Sequence, residues 1–147
     1  MKALIQRVSH AKVSVGGKIT GQIDKGLLVF LGVEKGDDIG EADFLSKKIC
    51  ALRIFEDENG KMNLSLIDIK GKMLVVSQFT LCADTSRGNR PGFERAALPD
   101  AAEKLYRYFS NQVATLGVEV QNGVFGADMK VELLNDGPAT FILEKTH

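Results

Sequence analysis

Polar residues follow directly after one of the most apolar segments of the chain, and side chains of these types can assist hydrolysis. Residues 72–76 lead directly into Ser77, Gln78, Phe79 and Thr80. A hydroxyl can act as a nucleophile or position a water, and amide or backbone N–H groups can donate to an oxyanion. Thr80 is the candidate for the first role, and Ser77 and Gln78 are candidates for the second. Threonine is also an ordinary β-branched strand residue, so the residue type alone does not show whether Thr80 is catalytic or structural.

The chain lacks the partners that a strong nucleophile or a metal would need. Its only histidines are His10 and His147, and its two cysteines, Cys50 and Cys82, are far apart in sequence. Ser-His-Asp and Cys-His catalysis need a nearby imidazole base, and zinc needs a cluster of ligands. We therefore expect no metal, no cofactor and reduced cysteines with a structural role.

Further candidates for binding are spread along the chain. Phe79 and Phe125 could stack on an unpaired base, although both could equally belong to the core. Met129 is a candidate pocket residue, although methionine also fills gaps in cores. The candidates for phosphate contacts are Arg7, Arg87 and Arg90, of which the last two lie in a polar loop, residues 83–92.

A glycine–proline pair lies near the end of the chain, within the segment Asn-Asp-Gly-Pro-Ala-Thr at residues 135–140. Most X–Pro bonds in folded proteins are trans. On its own, Gly137-Pro138 therefore predicts an ordinary turn.

Length and composition are those of one globular domain, residues 1–147, with 44% apolar and 26% charged residues. Nineteen basic residues balance nineteen acidic ones. This balance disfavours binding to long nucleic-acid backbones but allows recognition of one nucleotide or an RNA terminus. No apolar run reaches the roughly 20 residues that span a bilayer, and the first residues are too polar for a signal peptide. We expect a cytoplasmic protein without membrane contact.

Hairpin signals and short strands dominate the pattern. Gly16-Gly17 and Asn59-Gly60 each separate two short segments, as tight hairpin turns do. The continuous apolar run at residues 27–33 predicts a strand buried on both faces, and residues 72–81 predict another strand. Another predicted strand begins at Val118 and ends at a turn, Asn122-Gly123. The last two predicted strands cover residues 130–134 and 139–144.

Two helices are marked by their ends. Asp38 with Glu41 three residues later predicts the start of the first. Pro99 fits the first turn of the second, and Gly117 is a natural stop. Many short strands with two helices predict an α+β fold, with an antiparallel sheet curled into a barrel. A second copy of the chain could cover the edge of such a sheet.

Three segments, taken in order, resemble the D-aminoacyl-tRNA deacylase family. They are residues 77–81 (SQFTL), residues 86–93 (SRGNRPGF), and residues 123–129 (GVFGADM) followed by 135–140 (NDGPAT). Three further features resemble the same family, namely IQRV at residues 5–8, GLLV at residues 26–29 and the hairpin after Val13 and Val15. Each motif is weak alone, but their joint order at a matching length is specific. Two positions depart from the family pattern: Gly92 replaces a more usual serine, and Ala139 a more usual valine.

The resemblance implies a homodimeric esterase that cleaves D-amino acids from the 3′-terminal adenosine of tRNA and rejects L-aminoacyl-tRNA. Glycyl-tRNA is a further implied substrate. In the family, a cis Gly-Pro bond of the other subunit faces the substrate amino group, and here that role falls on Gly137 and Pro138. L and D esters differ only in geometry, so a rigid clamp without room on the L side discriminates by exclusion. The resemblance also implies Met129 as a pocket residue.

The implied chemistry suits a chain without a triad. An aminoacyl ester is activated, so orientation, a positioned water and oxyanion donors can suffice. Two other functions fit the sequence. One is a non-catalytic RNA-end or dimerisation module on the same scaffold. The other is a general esterase that uses Thr80 and would cleave simple esters lacking adenosine.

Overall fold

The first strand organises the sheet. In the computed structural model, which describes residues 1–147, β1 (Lys2–Val15) turns through Gly16-Gly17 into β2 (Lys18–Ile23). The two glycines have φ values of 56° and 81°, as a two-residue hairpin turn requires. Residues near the start of β1 also pair with β3 (Gly26–Gly32) on one side and β8 (Lys130–Glu144) on the other.

The sheet is mixed: the pairings of β1 are antiparallel, as predicted, but two other pairings are parallel. β6 (Lys72–Ser77) lies parallel to β3, and β7 (Glu119–Asn122) lies parallel to β6. Helix α1 (Ile39–Ala51) lies between β3 and β6 in the chain, and α2 (Pro99–Thr115) lies between β6 and β7. A helix between two neighbouring strands returns the chain to the same end of the sheet, so the strands run parallel.

The sheet curls into a nearly closed barrel, as predicted. Its order is β2-β1-β3-β6-β7, with β8 paired to the other side of β1. The two ends of this order meet, because a Cβ added to Gly21 of β2 would lie 2.6 Å from the carbonyl oxygen of Asn122 in β7. Only glycine permits such a close approach of two backbones.

Two apolar clusters bury the faces of the sheet. The cluster inside the barrel consists of Val8, Ala11, Val13, Ile23, Leu28, Leu74 and Val76. The larger cluster lies between the sheet and the helices and includes Leu27, Val29 and Leu31 of β3, with Leu45 of α1 and Phe109 of α2. Strand β3 is therefore buried on both faces, which confirms the prediction from its continuous apolar run.

The helix ends are those predicted. Asp38 caps α1, and the Asp38 and Glu41 side chains form a reciprocal capping box. Pro99 is the first residue of α2, and Gly117 follows its end with a φ of 90°. Neither helix has the length and apolarity needed to cross a bilayer.

Two predicted strand boundaries were wrong. Residues 72–81 do not form one strand, because β6 ends at Ser77 and a 3₁₀ turn, Phe79–Cys82, follows. The neighbouring strand β3 ends at Gly32, so the ladder has no partner beyond that point. The segments 130–134 and 139–144 belong to the single strand β8, which bulges between them.

The smaller features follow the sequence signals. β4 (Phe55–Glu56) and β5 (Met62–Leu64) pair across the turn at Asn59-Gly60, where Gly60 has a φ of 73°. Cys50 and Cys82 are free and buried, as expected. Burial raises the pKa of the Cys50 thiol to about 11, so it remains protonated at neutral pH.

The parallel pairing of β3 with β6 predicts a contrast between two glycine substitutions. A methyl group in Gly26→Ala would overlap the carbonyl group of Lys72, so we expect a loss of about 3 kcal/mol in the free energy of unfolding. Gly40→Ala adds a methyl group that meets nothing within 4 Å, and in α1 we expect a gain of about 0.5 kcal/mol. Urea unfolding of both variants measures the difference, and equal effects would contradict this packing.

Candidate active site

An open cavity of about 620 Å³ lies beside the end of β6. Five predicted site residues line it, namely Ser77, Gln78, Phe79, Phe125 and Met129. Twelve of its 18 lining residues are hydrophobic. A cavity of this size and character suits a flat apolar group that is oriented by a few polar contacts.

The 3₁₀ turn places hydrogen-bond donors next to this cavity. The N–H group of Gln78 donates to the carbonyl oxygen of Leu31 at 2.8 Å, so it is already bonded. This differs from the expectation that the Gln78 N–H could bind an ester oxygen. The N–H groups of Phe79 and Thr80 begin the turn, where the first donors of a helical turn have no acceptor inside it. The N–H groups available next to the cavity are therefore those of Phe79 and Thr80 and not that of Gln78.

Thr80 has no base beside its hydroxyl. Its side chain is exposed and does not line the cavity. The hydroxyl oxygen accepts a hydrogen bond from the amide Nε2 of Gln78 at 2.5 Å. An amide group is not a base at neutral pH, so it leaves the threonine proton in place. This environment does not activate Thr80 as a nucleophile.

The segment after β7 forms another wall of the cavity. The ring of Phe125 packs against that of Tyr106, with 6.0 Å between the ring centroids. Tyr106 is in turn fixed by donating its hydroxyl proton to the carbonyl oxygen of Val75 at 3.0 Å. Met129 packs against the cluster inside the barrel, and its sulfur would lie 2.6 Å from a Cβ at Gly123. This wall is therefore held by packing from behind.

The Gly137-Pro138 bond is cis and lies in a bulge of β8. The partner of β1 changes from Thr140 at Gln6 to Asn135 at Val8, so a single residue of β1 faces the unpaired part of β8. Residues 136–139 are therefore not paired with β1, and Arg7 of β1 lies opposite them. The glycine and the proline are both exposed.

Arg7 is buried beneath this bulge and has partners other than the phosphate that we expected. Its Nε donates to the carbonyl oxygen of Asp136 at 2.9 Å, and its Nη1 donates to that of Ile54 at 2.7 Å. Only 6% of the side chain is exposed. On the other side of the bulge, Oδ1 of Asn135 accepts from the N–H of Ala139 at 2.9 Å. These bonds place Arg7 as a support of the bulge.

The cavity joins only some of the predicted site residues. Gly137, Pro138, Arg7 and Thr80 do not line it. No group of three or more histidine, cysteine or acidic side chains is positioned to hold a metal ion.

Other residues line the cavity without having been predicted from the sequence. Among them are Lys35, Leu98 and Phe93. The ring of Phe93 meets that of Phe79 edge to face, with 5.1 Å between the centroids. The signal that could have found Phe93 is its place at the end of the family-like segment 86–93.

Comparison with known sequences decides the family. The family described as D-Tyr-tRNA(Tyr) deacylase matches residues 4–144. The chain belongs to this family. A D-aminoacyl-tRNA deacylase of Geotalea daltonii is 60% identical over 144 residues, which cover 98% of this chain and 96% of the relative. One of Histophilus somni is 62% identical over 143 residues, covering 97% and 99%.

Solved structures share the fold of this family member. The protein named c-Myc DNA Unwinding Element Binding Protein has a TM-score of 0.94 at 40% identity, and all of both chains is covered. A probable eukaryotic D-amino acid tRNA deacylase has a TM-score of 0.81 at 16% identity, with 97% of each chain covered. The second likeness supports the fold alone. Together with the family match, these findings confirm the resemblance noted in the sequence.

The supporting role of Arg7 predicts a specific loss of stability. Arg7→Lys removes the fork of donors that reaches two carbonyl groups, so we expect the free energy of unfolding to fall by about 1–3 kcal/mol. The control Arg107→Lys alters an exposed ion pair with Glu103, and it should change the free energy of unfolding by less than about 0.5 kcal/mol. Urea unfolding compares the two. An Arg7→Lys variant as stable as the control would show that these bonds do not hold the bulge.

Proposed function

We propose that this chain hydrolyses the ester bond of D-aminoacyl-tRNA, releasing the D-amino acid and the tRNA and leaving L-aminoacyl-tRNA intact. The observation that carries the proposal is the cavity that unites Ser77, Gln78 and Phe79 with Phe125 and Met129 in a member of this family. The relatives from Geotalea daltonii and Histophilus somni are named for the same activity. The reaction takes place in the cytoplasm, where aminoacyl-tRNA is made and used.

The cavity suits the 3′-terminal adenosine of the substrate. Its apolar walls and the ring of Phe125 offer a surface on which adenine can stack. An adenine bound there brings the ester towards the start of the 3₁₀ turn, where the N–H groups of Phe79 and Thr80 can stabilise the oxyanion. The remaining requirement is a water held in line, and the ribose hydroxyl of the substrate itself can orient it.

The active unit in this proposal is a homodimer whose subunits complete each other's sites. Gly137 and Pro138 are exposed and lie outside their own cavity. Strand β8 carries them on an edge that pairs only with β1, and its Leu134 and Ile142 side chains are 53% and 75% exposed. A second copy packed on this edge covers the apolar side chains and brings the dipeptide to the other cavity.

The dipeptide acts as the chiral clamp. Its rigid carbonyl groups hold the amino group of the substrate and leave no room for a side chain on the L side. A glycyl ester has only a hydrogen atom at that position. The clamp therefore admits glycyl-tRNA together with the D-aminoacyl esters.

The name of one structural neighbour points to a different ligand, a DNA element. Duplex binding depends on many phosphate contacts, and this chain has equal numbers of basic and acidic residues. The charge of the chain therefore gives no support to a duplex-binding function.

Deacylation of three substrates in parallel tests the proposal. With the purified protein, labelled amino acid should be released from D-aminoacyl-tRNA and from glycyl-tRNA, while L-aminoacyl-tRNA decays at its uncatalysed rate. A non-catalytic RNA-end module would leave all three at the uncatalysed rate. A general esterase would also cleave simple esters that lack adenosine. Sedimentation of the same sample shows whether activity accompanies the dimer.

The environment of Thr80 predicts that its hydroxyl is dispensable. Because no base contacts it, Thr80→Ala should retain single-turnover deacylation within about tenfold, whereas loss of a nucleophile costs several orders of magnitude. Gly137→Ala should be far more damaging, since the added methyl group would overlap the guanidinium of Arg7. A substrate ending in 2′-deoxyadenosine should react slowly. Thr80 would be the nucleophile if the Thr80→Ala variant were inactive while the unaltered protein cleaved the deoxy substrate at the normal rate.

A further inference from the structure

An exposed aromatic pair lies at the mouth of the cavity. Phe79 and Phe93 meet at 63° between ring planes and remain 54% and 39% exposed. Both residues also line the cavity, so the pair extends from its wall to the surface. Adjacent exposed aromatic rings at the edge of a pocket are typical of a binding surface.

The polar loop beside this pair is fixed at its base. The backbones of Asp84 and Gly92 exchange two hydrogen bonds, of 2.7 and 2.9 Å. The carboxylate of Asp84 also accepts from the hydroxyl and the N–H of Ser86, at 2.6 and 3.0 Å, which lowers its pKa. Two backbone hydrogen bonds and the contacts of the Asp84 carboxylate with Ser86 therefore hold the base of the loop. We call residues 85–91 the arginine loop, because it presents Arg87 and Arg90.

Both arginines of this loop are free to bind an anion. Their side chains are exposed, and the salt bridges of the chain involve other residues. A third cation, Lys35, lines the cavity. The acidic side chain on the opposite wall, Asp128, lies 3.6 Å from Lys130. Cations without a salt-bridge partner therefore precede Phe93 closely in the sequence or share the cavity wall with it, although the chain as a whole is neutral.

The strip of chain that carries Phe93 is also anchored. The N–H of Lys35 donates to the carbonyl oxygen of Arg95 at 2.9 Å, and the N–H of Ala97 donates to that of Val33 at 3.0 Å. Phe93 is thus bracketed by these bonds and by the closed base of the arginine loop. The backbone that carries the aromatic pair and the loop arginines is thus held in place before any ligand binds, which lowers the entropy cost of binding.

We infer that the Phe79–Phe93 pair and the arginine loop form a second nucleotide subsite, which binds the penultimate nucleotide of tRNA while the terminal adenosine occupies the cavity. This inference rests on the proposed function. The next base of a single strand can stack on the exposed rings, and the connecting phosphates can accept bonds from Arg87 and Arg90.

Single-stranded RNA explains this surface better than a second copy of the chain. Covering the aromatic pair with protein would remove water from the neighbouring guanidinium groups. Buried charges without partners are costly. A phosphodiester strand supplies aromatic faces and negative charge together, so it satisfies both parts of the surface.

Two substrates of different length test the subsite. We compare D-aminoacyl-tRNA with D-aminoacyl-adenosine, which fills only the cavity. For Phe93→Ala and for the double variant Arg87→Ala/Arg90→Ala, the ratio of kcat/KM on tRNA to kcat/KM on the adenosine ester should fall about tenfold or more. The controls Phe44→Ala and Arg107→Ala remove an exposed aromatic ring and an exposed arginine that do not line the cavity. Their ratios should remain that of the unaltered protein.

Binding provides a readout that does not need catalysis. A labelled single-stranded RNA with the 3′ sequence of tRNA should bind the unaltered protein with an affinity that falls as salt rises. In the double arginine variant the slope of log K against log salt should be shallower by about 1.4, because each phosphate contact to a single strand contributes about 0.7. If the proposed function is wrong, hydrolysis is absent while these binding differences persist.

Two results would overturn the subsite. The first is that the Phe93 and arginine variants lose activity equally on both substrates and keep the salt slope of the unaltered protein. The second is that Phe93→Ala changes the sedimenting mass while both substrates are affected alike. That outcome would assign the aromatic pair to an interface between copies of the chain.

Discussion

The ladder between β1 and β8 is interrupted opposite Arg7. There the buried guanidinium group of Arg7 makes hydrogen bonds in place of the backbone pairs. Only 6% of the Arg7 side chain is exposed. A positive charge that is buried in this way needs hydrogen-bond acceptors or a negative charge beside it. The compensation comes from the carbonyl oxygens of Asp136 and Ile54 and from the Asp136 carboxylate, whose Oδ2 lies 3.9 Å from Nε of Arg7. The carbonyl group of Asp136 has no strand partner within the bulge, and that of Ile54 lies in the loop before β4, so both need a donor. The shape of the bulge at Gly137-Pro138 thus depends on hydrogen bonds between one side chain and two backbone segments.

Local signals located the elements well, and non-local pairing explains the errors. The Asp38–Glu41 capping box, Pro99 and Gly117 act within one helical turn, so the sequence alone locates both helices. Strand direction depends on which strands become neighbours, and that is decided by packing of the helices across the sheet. For the same reason the end of β6 could not be located, because the strand stops where its partner β3 stops.

The site was predictable where a residue type and a family motif coincide. Ser77, Gln78, Phe79, Phe125 and Met129 meet in one cavity although two distant segments supply them. Arg7 was placed in the wrong environment, because no sequence pattern distinguishes an exposed arginine from one buried below a bulge. Phe93 was missed because its approach to Phe79 follows from backbone bonds elsewhere. The glycine at position 92 has space around it, since an added Cβ would meet only the carbonyl oxygen of Asp84 at 3.9 Å. The serine more usual in the family would therefore fit.

The pairing of β1 with β8 has a consequence for biosynthesis. Lys2 pairs with Glu144 and Gln6 with Thr140, so β1 leaves the ribosome well before β8, the strand with which it pairs. Contacts between such distant positions slow folding, because a long loop must close before they form. During translation β1 can pair with β2 and β3, but its other edge stays open and able to join foreign strands. The dipeptide bulge, carried by β8, is consequently completed only after the rest of the barrel has been synthesised.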